Sequence, residues 1–182
     1  MKSVSIKKMV LTSLFIALVF LSTYFTRIPT PLPGGYFNLG DAAIMLAAVL
    51  LGPVAGLIAG AIGSGLADLA AGAMLFVPVT FAVKGIEGLV VGLLTVKLRK
   101  KGINGSSFHF SLLLAVAAGA IIIAAGYFLA EAFILGAFDP AFGLTAAIAE
   151  LLPNSIQGVL SAALGYILVL VLSKMNVDKL IN

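Results

Sequence analysis

The sequence predicts an all-α membrane protein: a six-transmembrane-helix bundle with both termini in the cytoplasm. Three observations carry this expectation. The 182 residues are 62% hydrophobic and only 10% charged, with a mean hydropathy of +1.21, whereas a soluble domain carries about a quarter charged residues. The apolar residues gather into runs near the ~20 residues that a spanning helix needs. The basic residues fall almost wholly on one side of the membrane that those runs define.

The first run covers about 8–26. Lys2, Lys7 and Lys8 precede it in the order of a signal peptide. Its apolar core is long, no small-x-small cleavage site follows and further spans do, so it reads as a retained helix. The apolar stretch after Asp41 is interrupted at "LLGPVAG", residues 50–56. Proline disfavours helix at the residue before it and ends or kinks a helix, which predicts two shorter helices over 41–51 and 53–70. Three longer helices follow, over about 79–98, 110–136 and 142–173. The length suits a single integral membrane domain over 1–182.

With six helices, one face of the membrane receives Lys2, Lys7, Lys8, Lys97, Arg99, Lys100, Lys101, Lys174 and Lys179, and the other only Arg27. Positive charge marks the cytoplasmic side. The segment "RIPTPLPGGYFNLG", residues 27–40, is then external. Its prolines stiffen it and Gly34-Gly35 permits a tight reversal. The loop reads equally as a lid over an outward-facing pocket or as a connector with interfacial aromatics.

Ionisable residues stand out inside the spans. Asp41, Asp68, Glu87, Glu131, Asp139 and Glu150 fall in the outer halves or outer ends of their helices, and Asp178 alone is cytoplasmic. Lys84 lies about five residues from the outer end of its helix, or ~8 Å at 1.5 Å per residue. Glu131 and Glu150 sit at a similar depth on the next two helices. Each costs at least ~2.5 kcal/mol against lipid, so these groups should face inward and meet. Lys84 is expected to be ionised and paired with at least one of Glu87, Glu131 and Glu150. In the last helix Glu150, Asn154, Gln157 and Ser161 follow i, i+4, i+7, i+11, a single stripe, with Pro153 inside it loosening the backbone hydrogen bonding. Polar residues also serve as glue between membrane helices. Glue accounts for one or two of them, but poorly for a charged cluster confined to one depth.

Small residues recur at four-residue spacing, as in Ser13 and Ala17, Gly52, Gly56, Gly60 and Ser64, and Gly88 and Gly92. Such spacing lets helices approach closely. Other chemistry is absent from the sequence. It has no cysteine for thiolate work and no G-x-x-x-x-G-K-[ST] to cradle ATP phosphates. His109 is the single histidine, so neither a zinc site nor a base for Ser64 in "GSGL", residues 63–66, can be assembled. The chain is not read as an enzyme, and no cofactor, metal or nucleic-acid partner is expected.

The runs "YFNLGDAAIMLAAVLLGPVAGLIAGAIGSGLADL", residues 36–69, and "FAVKGIEGLVVGLL", residues 81–94, resemble the substrate-binding (S) component of energy-coupling factor vitamin transporters. The likeness is strongest to the branch serving hydroxymethylpyrimidine, pyridoxine and riboflavin-like substrates. It covers nearly the whole chain, from the N-L-G-D…G-P-x-x-G run to the K-G-x-E-G element in the fourth helix. The resemblance implies a vitamin-binding subunit of the bacterial plasma membrane that carries no ATPase. Such a subunit docks on a transmembrane coupling protein with two cytoplasmic ATPases and topples to release solute inward. It further implies docking through an Ala-x-x-x-Ala motif in the first helix, which stands here as Ser13-x-x-x-Ala17. It assigns vitamin contacts to the first outer loop and helices four to six, best matched by Tyr36, Asn38, Lys84, Glu87, Glu131, Glu150 and Asn154. Gln157 joins them through the polar stripe.

A pocket of one lysine, several carboxylates and amides suits a small hydrogen-bonding ring, with Phe76, Phe81, Tyr127 and Phe142 available as aromatic faces. Pocket polarity favours pyridoxine or hydroxymethylpyrimidine over the larger, flatter riboflavin. The rival reading is a stand-alone proton-coupled carrier, since intramembrane Glu and Lys serve proton relays. It lacks the inverted repeat usual in secondary transporters. A ligand-free structural subunit would leave the charge cluster unexplained.

Overall fold

The computed structural model describes residues 5–30, 32–99 and 106–175. The chain is helical almost throughout. The elements run α1 (Ile6–Phe25), β1 (Ile28–Pro29), β2 (Tyr36–Phe37), α2 (Gly40–Leu51), α3 (Pro53–Ala71), α4 (Phe76–Arg99), α5 (Ser106–Phe133), a 3-10 turn (Leu135–Ala137) and α6 (Leu144–Lys174). Five helices are long and apolar enough to cross a membrane, and α2 is a shorter apolar helix.

Every residue of α2 is buried. A helix that is apolar all round belongs in an interior, and α2 takes the centre, packed on α1, α3, α4 and α6. At 1.5 Å per residue it reaches only ~18 Å, short of the ~30 Å hydrocarbon core. Gly52, with φ of 99°, alone separates it from α3, whose first residue is Pro53. The positive φ suits glycine, and proline is tolerated at a first helical position because its missing N–H would have no partner there.

Other boundaries depart from expectation for similar reasons. The fourth helix starts at Phe76, ahead of the expected 79, and takes Pro78 into its first turn, where no intrahelical N–H is needed. The fifth starts at Ser106 and ends at Phe133, its expected last residues forming the 3-10 turn. Pro153 stays inside α6 without ending it. The external segment forms an antiparallel ribbon, Ile28 opposite Phe37 and Pro29 opposite Tyr36. Gly34 at φ 74° closes the reversal.

The small-residue spacing is used mainly inside the bundle. A Cβ added at Gly56 would come within 2.6 Å of both the Gly88 carbonyl oxygen and Ala48 Cβ, and one at Gly92 would meet Pro53. Gly60 packs against the backbone of Lys84. Side-chain-free contacts therefore set α3 against α4 at the level of the lysine. Ser13 and Ala17, by contrast, are exposed on α1.

Large apolar side chains such as Leu14, Ile121 and Leu129 point outward, as expected of surfaces that meet lipid. Of the basic residues used to orient the chain, Lys2, Lys100, Lys101 and Lys179 lie outside the described residues, as does Asp178.

Candidate functional site

The site begins at the first turn of α2. Asp41 is fully buried there, where a carboxylate is favoured by the helix dipole. Lys84 of α4 reaches across and donates to Asp41 Oδ1. Gln157 of α6 donates from Nε2 to Asp41 Oδ2 at 2.7 Å, and its Oε1 accepts the Asn38 backbone N–H at 2.8 Å. The Asn38 side-chain oxygen in turn accepts the Gly40 N–H at 2.9 Å. One continuous network thus ties the loop before α2 to α2, α4 and α6. Every charged or amide group in it is buried, where the low dielectric strengthens such bonds.

The expected partner of Lys84 is thereby corrected: it is Asp41, not Glu87, Glu131 or Glu150. Helix α2 brings its N-terminal carboxylate into the middle of the bundle, where it reaches the ammonium first.

Beside this network lies a cavity of about 30 Å³. Seven of the anticipated residues line it: Tyr36, Asn38, Lys84, Glu131, Glu150, Asn154 and Gln157. Glu87 does not. It is fully buried one turn further along α4, against Gly119 of α5, and neither carboxylate oxygen has a hydrogen-bond partner among the described residues. Asp68, Ser64, Thr80, Phe76 and Tyr127 complete the polar and aromatic wall. Tyr127 and Thr80 share a hydroxyl hydrogen bond of 2.8 Å, and Lys84 Nζ lies 5.3 Å from the Tyr127 ring centre. Of the other anticipated aromatics, Phe142 packs edge-on behind Phe76 at 5.5 Å, whereas Phe81 turns outward and is half exposed.

The β-ribbon borders the cavity through Tyr36 and the Gly34–Gly35 turn. The Tyr36 hydroxyl donates to Asp68 Oδ1. Burial, aided by the Asp68 charge, raises the phenol above its ordinary value, so it remains a donor at physiological pH. Asp41 and Asp68 are the two central residues that sequence reasoning left out of the site. Each is an acid within an otherwise apolar run, and that cost alone could have flagged them.

These features describe a multiply hydrogen-bonding pocket at one end of a membrane bundle. Residues 3–174 match the family model described as the ECF-type riboflavin transporter, S component. The chain belongs to that family. It is an S component, a subunit of vitamin uptake and not an enzyme. A Pyrococcus woesei protein described as an uncharacterized protein in the gap 3′ region is 36% identical over 154 residues, covering 82% of this chain and 93% of that relative. In this S component, then, the polar cavity is the natural candidate for the place where solute is held.

Proposed function

We propose that this S component captures a small vitamin or vitamin precursor in the cavity beneath the β-ribbon. Solute would enter from the outer side and pass inward once the subunit docks on a transmembrane coupling protein with two cytoplasmic ATPases. The observation that carries this reading is the convergence of Tyr36, Lys84, Glu131, Glu150 and Asn154, from the loop and three helices, on one cavity. The bias of basic residues supports that end facing outward and both termini inward, and the family resemblance supports a bacterial plasma membrane as the setting. A space of about 30 Å³ holds water but not a vitamin ring. Admission of a solute would then need the cavity to widen, with the ribbon lifting and Tyr36 leaving Asp68.

The density of polar groups favours a compact ring such as pyridoxine or hydroxymethylpyrimidine over riboflavin, which the family's description names. For docking, Ser13 and Ala17 line an apolar groove with Ile16, Phe20, Leu66 and Leu69. The serine keeps the surface narrow enough for a partner helix. A proton-coupled carrier is the second reading, favoured by Glu87, buried with both oxygens unpartnered among the described residues.

Uptake into membrane vesicles separates the two. The chain alone should bind vitamin without concentrating it, and accumulation should begin when the coupling protein and ATPases are added. Accumulation by the lone chain that collapses with a protonophore would establish the carrier instead.

A further inference from the structure

Helix α1 is largely exposed, and its buried residues are Val19 and Thr23. The other serine and threonine hydroxyls along it satisfy themselves on the helix. Thr12 donates to the Lys8 carbonyl at 2.8 Å, Ser13 to that of Met9 at 3.1 Å, Ser22 to that of Leu18 at 2.7 Å and Thr26 to that of Ser22 at 2.6 Å. A bond back to the residue four before is open to any serine or threonine in a helix. Thr23 does not make it. Its Oγ1 is buried without a hydrogen-bond partner among the described residues, and the residue is only 2% exposed.

That hydroxyl stands at the cavity. Thr23 is part of the wall, and a Cβ added at Gly40 would overlap its Oγ1 and come within 3.1 Å of its own Cβ. It is therefore seated at the first residue of α2, between Asn38, which accepts the Gly40 N–H, and Asp41, which holds Lys84. The other buried, unpartnered side-chain atoms on the wall are Asp68 Oδ2, Glu131 Oε2 and Glu150 Oε1. An ionised carboxylate only accepts, whereas a hydroxyl also donates. Thr23 alone among these four carries a hydrogen to donate in every protonation state. A buried hydroxyl without a partner is a standing cost, and here a bond to its own helix would have removed it.

We propose that Thr23 is a solute-contacting residue whose hydroxyl donates to an acceptor oxygen or ring nitrogen of the solute once the cavity is occupied. This rests on the solute-capture reading above, and it adds a residue of α1 to a site otherwise drawn from the first loop and the later helices. A site that leaves such a donor waiting discriminates against solutes that bring no acceptor to it. Ser13 and Ala17 of the proposed docking groove stand on the same helix, so solute and partner then meet one element.

The test combines binding titration and thermal unfolding on the detergent-purified full chain, with pyridoxine, hydroxymethylpyrimidine and riboflavin as probes. Whichever binds wild type most tightly is then titrated into Thr23→Val, Thr23→Ser and Ser22→Ala. Valine keeps the shape and removes the hydroxyl, so Thr23→Val should weaken binding about fivefold or more. Without solute the same variant should melt no lower than wild type, because the hydroxyl it removes has no partner there. Thr23→Ser keeps the hydroxyl and should bind more tightly than Thr23→Val. Ser22→Ala removes a hydroxyl committed to its own helix and should bind within about twofold of wild type. Wild-type affinity in Thr23→Val would overturn the inference while leaving solute capture intact. So would a solute-free Thr23→Val chain that melts well below wild type, since the hydroxyl would then be holding the fold. Failure of all three probes to bind wild type would overturn the solute-capture reading itself, and this inference with it.

Discussion

Along α6 the buried face reads Glu150, Asn154, Gln157 and Ser161, then changes to Ala162, Gly165 and Val169. Helix α5 makes the same change in reverse, from Leu112, Ala115 and Val116 to Tyr127 and Glu131. The bundle therefore has an apolar half and a polar half built from the same helices. In the apolar half Met45, Val49, Leu112, Val116 and Val169 close into one core. In the polar half Phe76, Val79, Val83 and Tyr127 form a second core beside the cavity. The contrast separates two kinds of burial. Apolar packing asks only for shape, whereas buried charge asks for a specific partner, and several groups at the cavity have none within the described chain. One half holds the helices together, and the other surrounds the polar cavity.

The sharpest way to break this division is at its ion pair. Lys84→Met should destabilise the chain by ~3–5 kcal/mol, because Asp41 is left charged without its counter-ion. It should also weaken solute binding at least tenfold, about 1.4 kcal/mol. Combining it with Asp41→Asn removes both charges and should restore much of the stability but not the affinity. Thermal unfolding and binding titration on the two proteins read these outcomes. A double variant as unstable as the single would mean that Lys84 matters for something other than its pair.

A change in the apolar half should divide stability from binding. Leu112 is fully buried in that core, and Leu112→Ala should cost ~2–5 kcal/mol. Solute affinity, measured well below the unfolding temperature, should stay within about twofold, or ~0.4 kcal/mol. A large loss of affinity would show the two halves to be coupled and dissolve the distinction.

The smallest effect on the chain itself is expected outside both halves. Ala17 is exposed on α1, so Ala17→Leu should change stability by less than ~0.5 kcal/mol and leave binding unaltered. Pull-down with the coupling protein should nevertheless fail, since leucine fills the space a partner helix needs. Binding and assembly lost together would place α1 in the structural core rather than at an interface.

Much of this was legible in the residues, though unevenly. Hydropathy located six helices, Gly52 and Pro53 located the break between α2 and α3, and helical spacing put Glu150, Asn154, Gln157 and Ser161 on one buried face. The cost of charge in lipid marked Lys84 and Glu131 as inward-facing, and both are buried. The ribbon was not legible, because strands of two residues leave no period to detect.

By itself, then, the sequence determined which segments are helical, where along its helix each polar group stands, and that charges should turn inward. Only the tertiary structure decided which groups meet. Depth and spacing fix a residue's height and face on its own helix, not that helix's position among the others. Glu87, Glu131 and Glu150 were therefore comparable partners for Lys84, and Asp41 was not among them until α2 was seen at the centre. The aromatics show the same limit. Phe76 lines the cavity and Phe81 faces outward, yet the sequence gives both equal claim to the pocket. In a bilayer the surroundings are as apolar as the interior, so hydrophobicity does not tell inside from outside, and packing alone assigns each ring its side.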